Sequence, residues 1–231
     1  MKPITIGVAI PCYQGHLEAL GNLLESIDRQ SRKPDMVIVS CSSYDASNAT
    51  ATPYSSKKYS FPYHIFFHSE KKNAAENRNI AASYLTTDII TFIDADDIMH
   101  PQRIAVIETC FTTYQHVAIL MHHCKMDTNE PFEHYQELDC FHFNRLFRCP
   151  NGSTQHRDYL YMGVLHNGQP SVPRDVFIMA PFDETPASHG KEDTVFCTRI
   201  ITMFPEQTAY CPYQLSGYVP SGTGGHQDIK D

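Results

Sequence analysis

Three carboxylates end one short stretch of this 231-residue chain: Asp94, Asp96 and Asp97 close the run from Asp88, Asp-Ile-Ile-Thr-Phe-Ile-Asp-Ala-Asp-Asp. Ionised side chains this close repel one another, and a divalent cation relieves the repulsion. Hard oxygen ligands suit Mg2+ or Mn2+, ions that commonly hold substrate phosphates at the same time. Arg78, in Asn77-Arg78-Asn79, is a candidate positive partner, and Glu192-Asp193 supplies a second pair of acids. A bound cation neutralises a departing phosphate, and a spare carboxylate takes the proton of an attacking hydroxyl. The bland alternative for Asp94 to Asp97 is a solvated turn that caps the next helix. Among the thirteen histidines, His122-His123, His166 and His226 are candidate metal ligands. His226 stands out because a mobile tail folding over a bound ligand would deliver it.

The elements that position these residues follow from periodicity. Ile89 to Ile93 is apolar and β-rich, which reads as a strand buried on both faces of a parallel sheet. In open α/β sheets ligands gather beyond the carboxyl ends of such strands. Thr5 to Ile10 is the first strand, and Pro11 to Gly15 reads as the turn after it. A helix follows from Leu17 to Gln30 with Leu17, Leu20, Leu24 and Ile27 on one face, then a strand from Met36 to Val39. This is a βαβ unit, right-handed and parallel. Ser40 to Lys58 reads as a polar loop and Tyr63 to Phe67 as the third strand. Asn73 and Glu76 have the spacing of a capping box, so the next helix starts at the sheet's carboxyl edge. Arg78, in its second turn, then lies on the same side as Asp94. Pro101 fits the first position of a further helix. A strand is expected over Val117 to Met121, weak or irregular order from His122 to Arg157, renewed order over Val172 to Met179 and a helix over Lys191 to Phe204.

Taken together, these stretches resemble the glycosyltransferase family 2 enzymes, which have the GT-A fold. The resemblance rests on Ile10-Pro11-Cys12-Tyr13, Asn77-Arg78-Asn79, Asp94-Ala95-Asp96-Asp97, Phe182-Asp183-Glu184 and Glu192-Asp193, in that order, and covers roughly residues 4 to 204. It implies an α/β GT-A domain with a mostly parallel central sheet and helices on both faces. A single domain over 1–231 is expected, with a nucleotide-binding half (1–115), an acceptor-binding half (116–216) and a mobile tail (217–231). It also implies metal-dependent transfer of one sugar, with inversion, from a nucleotide-sugar donor to a hydroxyl of a glycan or other acceptor. By the same resemblance Pro11, Tyr13, Arg78, Asp94 and Ala95 belong to the donor site, with Tyr13 at the base and Asp94 at the ribose. Asp96 would hold Mn2+ or Mg2+, joined by His226 if the tail closes, and Asp193 would be the general base. One departure matters. Relatives often carry a Val-Asp-Asp-Gly-Ser-like stretch after the second strand, where this chain has Val39-Ser-Cys-Ser-Ser43. UDP remains the first choice of nucleotide, with Ser42 as a candidate reader of the base and Asp45 nearby.

Composition narrows the classes. A net charge of −8 is not the basic footprint of a nucleic-acid binder. The chain lacks Gly-x-Gly-x-x-Gly and Cys-x-x-Cys, which disfavours a dinucleotide fold and a zinc knuckle. Its eight cysteines are expected as buried thiols. With no signal-like start and no apolar run long enough for a bilayer, a soluble cytoplasmic protein is expected, and the sequons at Asn48 and Asn151 are read as chance matches. The chain has no Trp and so lacks the Gln-x-x-Arg-Trp motif of processive synthases. Two other classes compete: a nucleotidyltransferase, which would need a basic Gly-rich phosphate loop after strand one, and a non-catalytic nucleotide-sugar-binding module.

Overall fold

Along the first strand, β1 (Ile6–Tyr13), Ile6, Val8 and Ile10 pack to one side and Ala9 to the other, and all four are fully buried. Alternate residues of a strand face opposite sides, so burial on both sides means that layers cover both faces of the sheet. The computed structural model describes residues 3–45, 58–126, 130–143 and 169–219. The further strands are β2 (Met36–Ser42), β3 (Tyr63–Phe67), β4 (Ile89–Phe92), β5 (Ile98–Met99), β6 (Ile119–Lys125), β7 (His142–Phe143), β8 (Ser171–Pro173) and β9 (Thr208–Gly217). They form one sheet in the order β3-β2-β1-β4-β8-β6-β9-β5, with β7 paired to β9. The helices are α1 (Leu17–Asp28), α2 (Ala74–Ser83), α3 (Arg103–Thr113), α4 (Arg174–Met179) and α5 (Glu192–Met203). Leu20, Leu24 and Ile27 of α1 and Ile104 and Ile107 of α3 cover one face. Ala81 of α2, Phe177 of α4 and Phe196 and Ile200 of α5 cover the other.

This is the expected α/β architecture, with its parallel character concentrated in the first half. β3, β2, β1 and β4 are mutually parallel. β8 then pairs antiparallel with both β4 and β6, and β9 runs parallel to β6. Because β1 and β4 are parallel, the segments that leave them, at Tyr13 and at Asp94, emerge at the same edge of the sheet. Among the described residues no helix is long and apolar enough to cross a membrane, and the seven described cysteines are free thiols.

Several boundaries differ from the sequence reading. β1 runs through Pro11 to Tyr13, where a turn is expected, and β2 runs on to Ser42. The last β1–β4 pair is Ala9 with Phe92, while β1–β2 pairing continues to Tyr13 with Ser42. Pro11 therefore sits where β1 has lost one neighbour, which is where a residue without an N–H is tolerated. Helix α3 begins at Arg103 and not at Pro101, because the Gln102 N–H donates to His100 Nδ1 at 3.0 Å and holds Pro101 in the preceding turn. β9 has no counterpart in the sequence reading. It contains Pro212, which falls where the β6 register jumps from His122 opposite Cys211 to His123 opposite Gln214, a bulge that removes the need for the missing donor. Residues 217–219, expected in a mobile tail, are pinned: the Tyr218 N–H donates to the Lys125 carbonyl at 2.8 Å and the Val219 N–H to Asp97.

Gly7 is the position in β1 that admits no side chain. A Cβ there would lie 2.5 Å from Thr87 Oγ1 and 2.6 Å from Leu85 Cδ2, and Leu85 is fully buried. Gly7→Ala should therefore destabilise the fold by about 1–3 kcal/mol, the scale of overpacking. A urea midpoint unchanged from wild type would contradict this packing.

Candidate active site

Asp94 to Asp97 leaves β4 at the carboxyl edge of the sheet, and each carboxylate meets a different environment. Asp94 Oδ1 accepts from Arg78 Nη2 at 2.7 Å. Asp96 is partly buried, with Oδ2 at 3.7 Å from His16 Nε2. Asp97 is buried: Oδ2 accepts from the Gln169 side-chain amide and Oδ1 from the Val219 N–H at 3.3 Å. Burial first, then the charges of Asp94 and Asp96, push the Asp97 carboxyl up to about 8, against the pull of its two hydrogen bonds. Asp97 thus supports the loop from within. It does not cap α3, whose N-cap is Gln102.

Gln169 links that acid to a second buried cation. Arg103 is fully buried; its Nη1 donates to Gln169 Oε1 at 2.6 Å, and its Nη2 donates to the carbonyls of Phe92 and Gln169 and to Thr91 Oγ1. Burial lowers the Arg103 guanidinium to about 9, with the Asp97 charge opposing the shift. The chain Arg103–Gln169–Asp97 joins α3, the approach to β8 and the acidic loop.

Helix α2 starts with the expected capping box: Asn73 Oδ1 accepts from the Glu76 N–H at 2.9 Å, and Glu76 Oε2 accepts from the Asn73 N–H at 2.6 Å. This fixes the helix start at the carboxyl edge and places Arg78 beside Asp94. Arg78 is 4% exposed. Its Nη1 donates to Glu192 Oε1 at 2.9 Å, and its guanidinium lies 5.4 Å from the Phe182 ring centroid. Burial works against its charge, but Asp94, Glu192 and Asp193 outweigh it and hold its pKa above the ordinary value. Both terminal nitrogens are thus taken up by protein carboxylates, so Arg78 bears on the edge chiefly through Asp94.

Glu192 and Asp193 open α5. With Glu192 committed to Arg78, Asp193 is the other carboxylate of this first turn, and its Oδ1 accepts from the Thr194 N–H at 2.6 Å. The helix N-terminus alone would favour the ionised form. Burial outweighs that, and with the charges of Glu192 and Asp94 it raises the Asp193 pKa against the pull of Arg78 and the Thr194 N–H. The segment before α5 is braced: Asn79 bonds the Phe182 carbonyl and Glu184, and Asp183 accepts from Ser188 Oγ at 2.5 Å and the Thr185 N–H at 3.0 Å. These two bonds hold the Asp183 carboxyl down at about 2.

The remaining candidates divide. Tyr13 lies at the edge, and its ring crosses the space where a Gly15 Cβ would be, with Cε2 only 2.4 Å away. Pro11 and Ala95 are buried. Ser42 is fully buried. Its Oγ accepts from Asn77 Nδ2 at 3.0 Å, and Ser40 Oγ donates to Asn77 Oδ1 at 2.9 Å. Ser42 therefore turns into a polar seam under α2 and not toward a base. His226 and His166 lie outside the described residues. His16, Arg103 and Gln169 are absent from the sequence reading. Only the topology could have indicated His16, since it follows β1 as Asp94 follows β4.

A mixed α/β sheet with an acidic strand end facing the first turn of a late helix defines the GT-A class of fold. Glycosyl transferase family 2 matches residues 7–178, and the chain belongs to that family. It is 34% identical over 106 residues to the amylovoran biosynthesis glycosyltransferase AmsB of Erwinia amylovora, a match that covers 45% of this chain and 35% of AmsB. The fold is similar to S. aureus TarS 1-349 in complex with UDP-GlcNAc, with a TM-score of 0.65 and 13% identity over 94% of this chain and 59% of that one. It is also similar to the mannosyltransferase PcManGT of Pyrobaculum calidifontis in complex with GDP-Man and Mn2+, with a TM-score of 0.63 and 14% identity over 97% of this chain and 59% of that one. The chain thus spans about a third of the curated relative and about three fifths of these solved chains.

Removing Arg78 would leave Asp94 and Glu192 facing each other without a counter-charge. Arg78→Met should cost about 3–5 kcal/mol, the scale for breaking a buried pair on one side. Arg78→Lys should recover only part of it, since one ammonium nitrogen cannot reproduce the two separated guanidinium nitrogens that reach Asp94 and Glu192. Equal urea midpoints for wild type and the Met variant would show that the bridge holds nothing together.

Proposed function

We propose that this domain transfers a single sugar from a nucleotide-sugar donor to an acceptor hydroxyl, with a divalent cation at Asp96 and Asp193 as the general base. The observation that carries the proposal is the Arg78 bridge, which sets the first turn of α5 beside the acidic end of β4. Family membership points to glycosyl transfer, and the complexes of TarS with UDP-GlcNAc and of PcManGT with GDP-Man support the donor class. UDP is the first choice of nucleotide. Ser40 and Ser42 are drawn into the seam with Asn77, so base discrimination falls to backbone groups near Ser43 and Tyr44 and is looser than a carboxylate would enforce.

The residues fit a cation. Burial first, and then the charges of Asp94 and Asp96, raise the pKa of Asp97 beside them, so added negative charge is disfavoured here and a cation would be welcome. The Asp94 and Asp96 side chains keep 29% and 16% exposure. Among the described residues no group of three or more His, Cys, Asp or Glu could enclose a metal, so donor phosphates and water would complete the ligand set, as is usual for Mg2+. When bound, the cation supplies charge neutralisation to the departing diphosphate. Asp96 holds it, Asp94 orients the ribose, and Tyr13 packs at the base. Asp193, partly desolvated and made more basic by burial, accepts the acceptor's proton as the hydroxyl attacks from the face opposite the diphosphate. Glu192 is unsuited to that task because its charge is spent on Arg78.

Titration calorimetry with UDP and GDP, in Mn2+ and in EDTA, tests the cation assignment. Asp96→Ala should bind nucleotide equally with and without metal, and wild type should not. Asp193→Asn should keep donor and metal affinity while transfer falls by roughly 10²-fold or more, the scale of a positioned base. Near-wild-type transfer by Asp193→Asn, or retention of the donor's anomeric configuration in the product, would refute the mechanism.

A further inference from the structure

His16 closes the short 3-10 turn, Gln14–His16, that joins β1 to α1. Its Nε2 lies 3.7 Å from Asp96 Oδ2, and the two side chains are 19% and 16% exposed. That separation is longer than a hydrogen bond or a tight ion pair. We propose that His16 is a second protein ligand of the cation at Asp96, and that it biases the site toward transition-metal dications such as Mn2+ and Co2+ over Mg2+. The inference rests on the reading of Asp96 as a cation ligand.

The geometry suits two donors sharing one ion. Around an ion bound at ~2.1 Å, donors at right angles are ~3.0 Å apart and opposite donors ~4.2 Å apart. The 3.7 Å found here lies between these limits, so small side-chain rotations bring both atoms onto one ion. The imidazole is also braced: its ring centroid lies 4.2 Å from that of Tyr13, and Gly15 leaves the space that the Tyr13 ring occupies. The two residues lie in the segments that follow the adjacent parallel strands β1 and β4, so both sit at the same edge of the sheet. With two protein donors, the site still relies on phosphate oxygens and water for the rest. The chemical consequence is selectivity. Mg2+ takes oxygen ligands almost exclusively, whereas imidazole nitrogen favours the first-row transition ions, in the order that places Co2+ above Mn2+.

The test measures binding and needs no acceptor. Mn2+, Co2+ and Mg2+ are titrated into protein held with UDP, and separately with GDP, by calorimetry and, for Mn2+, by the loss of the free-ion electron spin resonance signal. His16→Phe keeps a ring against Tyr13 and removes the donor nitrogen. Its dissociation constants for Mn2+ and Co2+ should rise about tenfold or more, at least the scale seen when a ligand's supporting shell is lost, while Mg2+ moves much less. His16→Gln, with an amide oxygen in reach, should shift the preference toward Mg2+ and gives the answer even if the Phe variant folds poorly by circular dichroism. Wild-type affinity for Mn2+ in a folded His16→Phe, or an unchanged preference for Mn2+ and Co2+ over Mg2+ in a folded His16→Gln, overturns the inference while leaving Asp96 in place. No cation binding by wild type, or unchanged binding in Asp96→Ala, overturns the Asp96 reading itself and this inference with it.

Discussion

A single guanidinium ties the acidic end of β4 to the first turn of α5. Arg78 reaches Asp94, 16 residues away in sequence, and Glu192, 114 residues away. Burying a cation is costly unless carboxylates and hydrogen bonds surround it, and here they do so only when β4, α2 and α5 take up their native relation. The interaction therefore acts less as a source of net stability than as a geometric condition: a displaced α5 would strand a buried charge. The same condition sets the roles of the paired acids. Adjacent helix positions diverge by about 100°, so the turn that points Glu192 at Arg78 cannot point Asp193 there as well.

Arg103 repeats the device on the other side of β4. Arg78 holds its acids directly, whereas Arg103 reaches Asp97 through the amide of Gln169. The amide keeps cation and carboxylate apart, and its own polar atoms are both used. The effect on the loop is directional. Asp94 is drawn toward α2 and Asp97 inward beneath the loop, so Asp96 is the acid that neither buried arginine network engages. The division of labour in the Asp94 to Asp97 run thus follows from two buried arginines on different helices, one on each face of the sheet.

Much of the first half was legible in the sequence because its signals are local. The capping box at Asn73 and Glu76, the limits of β3 and the apolar run of β4 each depend on neighbours within a few residues. The meeting of Arg78 and Asp94 followed from the rule that parallel strands end at one edge. What escaped depends on distant partners. Pro212 argues against a continuous strand over β9 until the β6 bulge gives that proline a place. Gln169 and Arg103 are ordinary polar residues until a separation of 66 residues is closed between them. Ser42 looked exposed because the stretch around it is polar. It is buried because Asn77, one turn into α2, offers a hydrogen-bonding partner that sequence spacing alone cannot reveal.

The charge balance explains why such a site would be coupled to metal. Asp94, Asp96, Asp97, Glu192 and Asp193 converge on two arginines, an excess of three acids. The fold manages part of this excess through protonation equilibria. Asp97 and Asp193 both have raised pKa values, each with burial as the leading cause and neighbouring acids adding to it. A third arginine would reduce the excess, but it would do so permanently and weaken the reason for a cation to accompany a diphosphate. On the proposed reading, keeping the deficit at Asp96 would let charge compensation arrive together with the donor. The edge would then be electrostatically complete only in the complex, which would favour stabilising a departing diphosphate over holding a free anion.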